Sequence, residues 1–255
     1  MHRLFDELAH RYDLHTPPDH YRHDHRFVIE QALALGNPCK LLDIGCGTGV
    51  LVQKARQAGI LATGIDASPA MVQVAESRVG PGLIAVRRMQ ELDDEASHDL
   101  IVSLAWTLNY CADRTELLDI LRRIRRALRP GGRVLLQVAH APHVDGRLQE
   151  DREPGPGGEP DDVTFLYRFT ALDGEHLAMR AEYVYACKSM NEFLHEEHIL
   201  RMTDACVVAE CARAVGLDDV AIHDSWRQDP LASSPSPDFS PWKGIPAARP
   251  WLERL

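Results

Sequence analysis

The eleven residues from Lys40 to Val50, KLLDIGCGTGV, constrain the chain more than any other stretch. Leu41, Leu42 and Ile44 read as a buried parallel strand. Gly45, Gly47 and Gly49 then fall on alternate positions, as in a tight turn where main chain must approach a ligand closely. Val50, Leu51, Val52, Ala55 and Ala58 follow in a pattern that suits a helix better than a second strand. Strand, glycine turn, helix predicts a nucleotide-type ligand at the carboxyl edge of a sheet.

The same alternation runs on for about 100 residues. Leu61 to Ile65 is a second strand ending in Asp66, and Ser68-Pro69 opens a helix with serine at the cap and proline in the first turn. Leu83 to Val86 and Asp99 to Leu104 are further strands. Asp113 and Glu116 resemble a capping box for a helix that points Leu117, Leu118, Leu121, Ile124 and Leu128 inward. Arg129-Pro-Gly-Gly stops it, and Val134 to Val138 is a fifth strand. The fold class predicted is α/β, a doubly wound, mostly parallel sheet of seven strands covered on both faces, Rossmann-like. Beyond it, Glu153 to Asp162 reads as a flexible loop, and Val163 to Thr170 and Leu177 to Ala186 as an antiparallel hairpin around Asp173-Gly174. A strand at Glu196 to Arg201, a helix from Asp204 to Val215 closed by Gly216, and a strand at Val220 to His223 follow.

Upstream, Leu4, Phe5, Leu8 and Tyr12 predict a short helix stopped by Pro17 and Pro18, and a second helix spans Tyr21 to Leu35. Downstream, prolines at 230, 235, 237, 241, 246 and 250 predict a tail without regular structure, although Trp242 and Trp251 are candidates to dock on the domain or on a second subunit of a homodimer. The organisation expected is N-terminal helices over 1–36, a main domain over 37–226 with a hairpin insertion at about 151–190, and the Pro-rich tail over 227–255.

Length and charge bound the function. A chain of 255 residues, 45% of them hydrophobic, supports one main core. With 38 acidic against 28 basic side chains, the formal charge of −10 argues against a general nucleic-acid binder; the run Arg122, Arg123, Arg125, Arg126 and Arg129 reads as a solvated helix face. MHRLFDELAH has no sustained apolar segment and no later stretch is long enough to span a membrane, so a cytoplasmic protein with no membrane partner is expected. The six cysteines form no C-x-x-C pair and read as reduced, mostly buried thiols. No metal site is expected: His195 and His198 lack a metalloprotease register and fall on opposite faces of a strand, and His20, His23 and His25 suit a solvated helix start.

A nicotinamide-binding turn would want its third glycine at position 50, where this chain has Val50. Gly45, Gly47 and Gly49 after Asp43, with Asp66 ending the next strand, instead resemble the class I methyltransferases that use S-adenosylmethionine. The resemblance covers residues 39–140 well and extends loosely to residue 223. It implies that the glycine turn passes under the methionine and ribose parts of the cofactor and that Asp66 takes both ribose hydroxyls, with Asp43, Ala67, Met71 and Leu104 beside it. A carboxylate can accept two hydrogen bonds from a diol, so the chemistry agrees. The family often holds adenine through an acidic residue after the third strand, where this chain has Arg88; Met89 and Gln90 would take that part, or else Met89 is core and Gln90 is solvated.

The segment Ser103 to Tyr110 resembles small-molecule members of the family, including those that methylate aminosugar nitrogens. There Trp106 and Asn109 would wall the acceptor pocket, unless Trp106 is core and Asn109 a turn residue. Phe5 to Asp13 resembles the lid helix of that branch, with Tyr12 facing the methyl donor and Tyr21 a second candidate; the alternative is a helix packed only for stability. His140, and less so His143, follow the fifth strand and are candidates for a general base. The hairpin would roof the acceptor, with Phe165, Tyr167, Phe169, Tyr183 and Tyr185 as its aromatic candidates. The expected activity is methyl transfer from S-adenosylmethionine, leaving S-adenosylhomocysteine, to a small metabolite, at nitrogen before oxygen. A non-catalytic cofactor-binding module, favoured by Arg88 alone, and an NAD-dependent oxidoreductase are the other readings.

Overall fold

The computed structural model describes residues 2–36, 38–172 and 177–223, and the backbone of Trp251–Arg254. In chain order the helices are α1 (Tyr12–His15), α2 (Arg22–Ala34), α3 (Val50–Gln57), α4 (Pro69–Val79), α5 (Arg114–Ala127) and α6 (Ala205–Ala214). The strands are β1 (Lys40–Ile44), β2 (Leu61–Asp66), β3 (Ile84–Val86), β4 (His98–Ser103), β5 (Leu128–Gln137), β6 (Gln149–Glu153), β7 (Val163–Ala171), β8 (Ala178–Cys187), β9 (Glu192–Arg201), β10 (Val220–His223) and β11 (Trp251–Arg254).

Seven strands make the central sheet in the order β10-β11-β5-β4-β1-β2-β3. Pairings from β5 to β3 are parallel, and β11 runs antiparallel to both of its neighbours. Each face of β1 is covered, which explains its unbroken apolar run: Leu42 and Ile44 pack with α5 and α6, and Leu41 packs with α2 and α3. The caps read from sequence are in place. Ser68 Oγ accepts from Met71 N at 3.1 Å, and Asp113 Oδ1 accepts from Glu116 N at 2.9 Å. Leu117, Ile120, Leu121 and Ile124 of α5 are buried.

The hairpin β7–β8 is present, flanked by β6 and β9 in an antiparallel sheet of four strands. Its apolar face meets the N-terminal segment around Leu4, Phe165, Tyr167 and Tyr185, and meets the loops after β4 and β5 around Trp106, Ala139, Met179 and Leu200. The second sheet therefore sits over the carboxyl ends of the central strands. Among the described residues no helix is long and apolar enough to cross a membrane.

Three expectations change. Residues 3–14 do not form one helix but two 3₁₀ turns, Arg3–Phe5 and Ala9–Arg11, followed by the single turn α1. Tertiary bonds hold these turns in place of a continuous helical ladder: Ser68 Oγ donates to Phe5 O at 2.6 Å, Thr48 Oγ1 donates to Asp13 at 2.8 Å, and Arg78 pairs with Asp13. β6, QEDRE, lies where the sequence predicts no strand, because an edge strand paired through its backbone needs no apolar alternation. The end of the tail is also ordered: Trp251–Arg254 inserts between β5 and β10. Trp242 lies outside the described residues. The basic run keeps to the exposed side of α5 and the start of β5, where Arg123 pairs with Asp119, Arg125 donates to Gly216 O, Arg126 donates to Leu92 O, and Arg129 pairs with Asp99.

Candidate active site

At the end of β1 the chain turns with Gly45 at φ +74° and Gly47 at φ +52°. A Cβ on Gly45 would stand 2.3 Å from the Thr107 side chain, so the turn and the loop after β4 meet there as backbone against side chain. A Cβ on Gly47 would meet nothing within 4 Å and would project into open space. That space is a cavity of about 470 Å³ lined by Gly45, Gly47, Asp66, Ala67, Met71, Met89 and Gln90, with Arg87 and Arg88 beside them. Such a volume suits a nucleoside-sized ligand. Asp66 Oδ2 accepts from Gly47 N and Oδ1 accepts from Ser68 N, both at 2.9 Å. A carboxylate offers about four lone-pair sites, so Asp66 keeps capacity to accept from a ligand hydroxyl.

The loop after β4 supplies the opposite wall. Ala105 and Trp106 both adopt left-handed backbone, φ +48° and +64°, at a cost of order 1–3 kcal/mol each. Buried amides over-determine that shape. Gln137 Oε1 accepts from Ala105 N at 2.8 Å while its Nε2 donates to Asp24, and Asn109 Nδ2 donates to the carbonyls of Arg201 and Met202 while its Oδ1 accepts from Ala139 N.

Two smaller cavities, about 90 and 70 Å³, adjoin the first, and Tyr12 and Ala105 line all three. One runs under the glycine turn past Asp43, Leu104, His25 and Tyr21. The other is aromatic, walled by Phe5, Tyr12, Tyr21, Trp106, Tyr110, Phe165, Tyr167, Phe169 and Tyr183. His15 stacks on Phe165 at 4.4 Å between centroids and closes one side.

Burial governs the charges here. It pushes the Asp43 carboxyl up to about 8, with Asp66 adding to the rise. Burial raises Asp66 as well, against the N–H groups of Ser68, Gly47 and Ala67, which favour its charge. The imidazoles of His15 and His25 fall to about 3 through burial and are neutral.

Most of the sequence-derived residues converge on these cavities, and four do not. Asn109 is 1% exposed and spends its amide on backbone, because the 3₁₀ turn Thr107–Tyr110 aims it at β5; it supports the wall and is not part of it. His140 is 6% exposed, its Nδ1 accepts from Ala205 N at the start of α6, and its ring meets His143 at 4.5 Å. Neither histidine is among the residues lining the three cavities, because the chain after β5 turns beneath the second sheet. Gly49 packs against Ala75, where a Cβ would stand 2.9 Å from that side chain, and joins α3 to α4. Residues missed from sequence include Thr107, His15, Thr16 and Gln137, of which only Thr107 lies in a segment that the sequence marks out.

A second polar group borders the aromatic pocket. Among the described residues, His2, Glu196 and His198 bring ligand-type atoms within 4.8 Å of one another. Both Glu196 oxygens are already engaged, accepting from Arg3 N and Leu4 N at 2.9 Å each, and the Tyr110 hydroxyl lies 2.6 Å from His198 Nδ1.

A doubly wound sheet with a glycine turn after β1 and an acidic residue closing β2 is the Rossmann-like fold of the solved methyltransferases this chain resembles. Residues 41–132 match the family described as Methyltransferase domain. The chain is 32% identical over 140 residues to the demethylmenaquinone methyltransferase of Thermotoga maritima, covering 52% of this chain and 59% of that protein. Over 97 residues it is 30% identical to the dTDP-4-amino-2,3,4,6-tetradeoxy-D-glucose N,N-dimethyltransferase of Saccharopolyspora spinosa, 38% of this chain and 39% of that one. The chain spans about half the length of the curated relatives it matches. In fold it resembles the S-adenosylmethionine-bound aminopentose methyltransferase CalS10 of Micromonospora echinaspora, with a TM-score of 0.68 at 19% identity over 91% of this chain and 90% of that one. The residues present fit the cofactor: Gly47 leaves a cradle that a side chain would fill, and Asp66 keeps acceptor capacity beside it.

Proposed function

We propose that the protein transfers the methyl group of S-adenosylmethionine to a nitrogen of a small metabolite, with an amino sugar as the substrate class. The observation that carries this reading is the pair of adjoining cavities, a cradle with Asp66 and the glycine turn at one end and an aromatic chamber at the other, with Tyr12 and Ala105 on both. The cofactor supplies an activated sulfonium methyl. The chain therefore needs to align donor and acceptor and keep water out. In this reading Asp66 holds the ribose diol, Met71, Met89 and Gln90 border the adenine, and Asp43 and Leu104 lie under the methionine portion. Tyr12 faces the methyl group, and the N-terminal segment acts as the lid. Trp106, Tyr21, Phe165, Tyr167 and Tyr183 surround the acceptor; apolar walls would keep its amine neutral and nucleophilic by penalising its charged form. The sugar N-dimethyltransferase among the relatives and the aminopentose methyltransferase among the structural neighbours support nitrogen.

The test is a panel of amino sugars, amines and matching alcohols with methyl-labelled donor. Label on nitrogen is the expected result. Label only on hydroxyls would replace the nitrogen reading by O-methyl transfer, and bound donor without transfer would leave a cofactor-binding module.

A further inference from the structure

Tyr110 lines both the donor cavity and the aromatic chamber, at the point where the two meet. Its hydroxyl lies 2.6 Å from His198 Nδ1. His198 is fully buried on β9, boxed in by the rings of His2 at 3.7 Å, Tyr183 at 5.0 Å and Phe5 at 5.3 Å between centroids. Its other nitrogen, Nε2, stands 3.3 Å from Glu196 Oε2, within ion-pair reach though off the angle of a full hydrogen bond. A lone pair on Nε2 would repel that carboxylate oxygen, so the proton belongs on Nε2 and the lone pair on Nδ1. Burial works against the charge on Glu196, but the N–H groups of Leu4 and Arg3 together with His198 hold the carboxyl below its ordinary range. The carboxylate is thus charged, and it selects the tautomer.

We propose that Tyr110 contacts the acceptor through its oxygen, and that His198 and Glu196 are positioning residues that turn its lone pairs into the chamber. With Nδ1 able only to accept, the Tyr110 proton is committed to His198, and the free side of the oxygen can accept only from a donor such as an amine N–H. The nitrogen lone pair is then left to face the methyl donor. Burial, with His2 adding to it and Glu196 opposing, brings the His198 imidazolium down to about 4. The ring is therefore neutral at ordinary pH and fixes a direction without taking up a proton. Glu196 also ties the device to the N-terminal segment, since its two oxygens hold Arg3 N and Leu4 N beside Phe5. An ordered segment and an oriented Tyr110 thus depend on one carboxylate.

This inference rests on the methyl-transfer reading, and its test separates the two. Steady-state kinetics on Tyr110→Phe and His198→Phe should each show kcat/KM for the acceptor down by about tenfold or more, with donor affinity within about threefold of wild type. The double variant should lose no more than about twofold beyond either single one, because both remove the same interaction. His198→Asn, whose amide oxygen can stand where Nδ1 stands, should recover part of the loss. In ¹⁵N-histidine spectra of the resting protein, Tyr110→Phe should shift the His198 Nδ1 signal. Multiplicative losses in the double variant, no recovery with Asn, or an unmoved Nδ1 signal would overturn the inference while leaving methyl transfer standing. A wild-type protein that methylates nothing would overturn the methyl-transfer reading and the acceptor role together.

Discussion

Gly45 and Gly47 share a left-handed backbone but not their surroundings, and that difference predicts different outcomes for the same substitution. Gly45→Ala drives a methyl into Thr107 and should destabilise the fold as an overpacked core residue does, by about 1–3 kcal/mol or more. Gly47→Ala meets no protein atom, so its midpoint in denaturant should fall only by the backbone strain of about 1–2 kcal/mol, while donor affinity measured by calorimetry drops about tenfold or more. Equal donor affinity in Gly47→Ala would place the ligand elsewhere. At this scale the sequence speaks where the site is local: Gly45, Gly47 and Asp66 are bound together by the Gly47 N–H to Asp66 bond across a separation of 19 residues. It is silent on His198 and Glu196, which reach the site across 88 and 192 residues and whose neighbours depend on how the second sheet folds back. Asn109 and His140 stand out in sequence for their position near the strand ends, but position does not fix which way a side chain turns.

Elements with an apolar periodicity of their own are legible in the sequence, and those held by backbone pairing are not. α5 buries a regular stripe and carries its own cap, so both its ends can be read. β6 and β11 show no strand periodicity in sequence, because an edge or inserted strand takes its stability from backbone pairing with its neighbours. The N-terminal segment has helical spacing, but Ser68, Glu196 and Arg78 compete for its polar groups and break it into turns. β11 carries a prediction: a chain ending at residue 250 leaves β5 paired on one side alone and β10 without a link to the sheet. Its denaturant midpoint should fall by about 2 kcal/mol or more, given net contributions near 1 kcal/mol for each lost backbone bond. An unchanged midpoint would mean that the strand adds nothing to the sheet.

For the whole molecule, buried titrating groups set a window of stability. His15 and His25 titrate near 3 in the fold because burial disfavours their charge, against 6.5 when free, so the stability they give is full above about 6.5 and is lost as pH falls toward 3. Asp43 is raised from 3.8 to about 8 by burial and by Asp66, so its contribution is full below 3.8 and is lost as pH rises through 8. Stability of the ligand-free protein should therefore peak at about pH 5–7. Asp43→Asn should remove the fall on the alkaline side and steepen the rise between about pH 4 and 6.5, as read from denaturant midpoints across pH; an unaltered alkaline slope would remove Asp43 from that role. The central claim is that Asp66 and the glycine turn hold S-adenosylmethionine, and calorimetry tests it most directly. The wild-type protein should bind the donor saturably with one site per chain, and Asp66→Asn, which keeps the side-chain shape but loses the charge offered to the diol, should bind about tenfold more weakly or worse. No saturable binding, or equal affinity in the two proteins, would contradict the account.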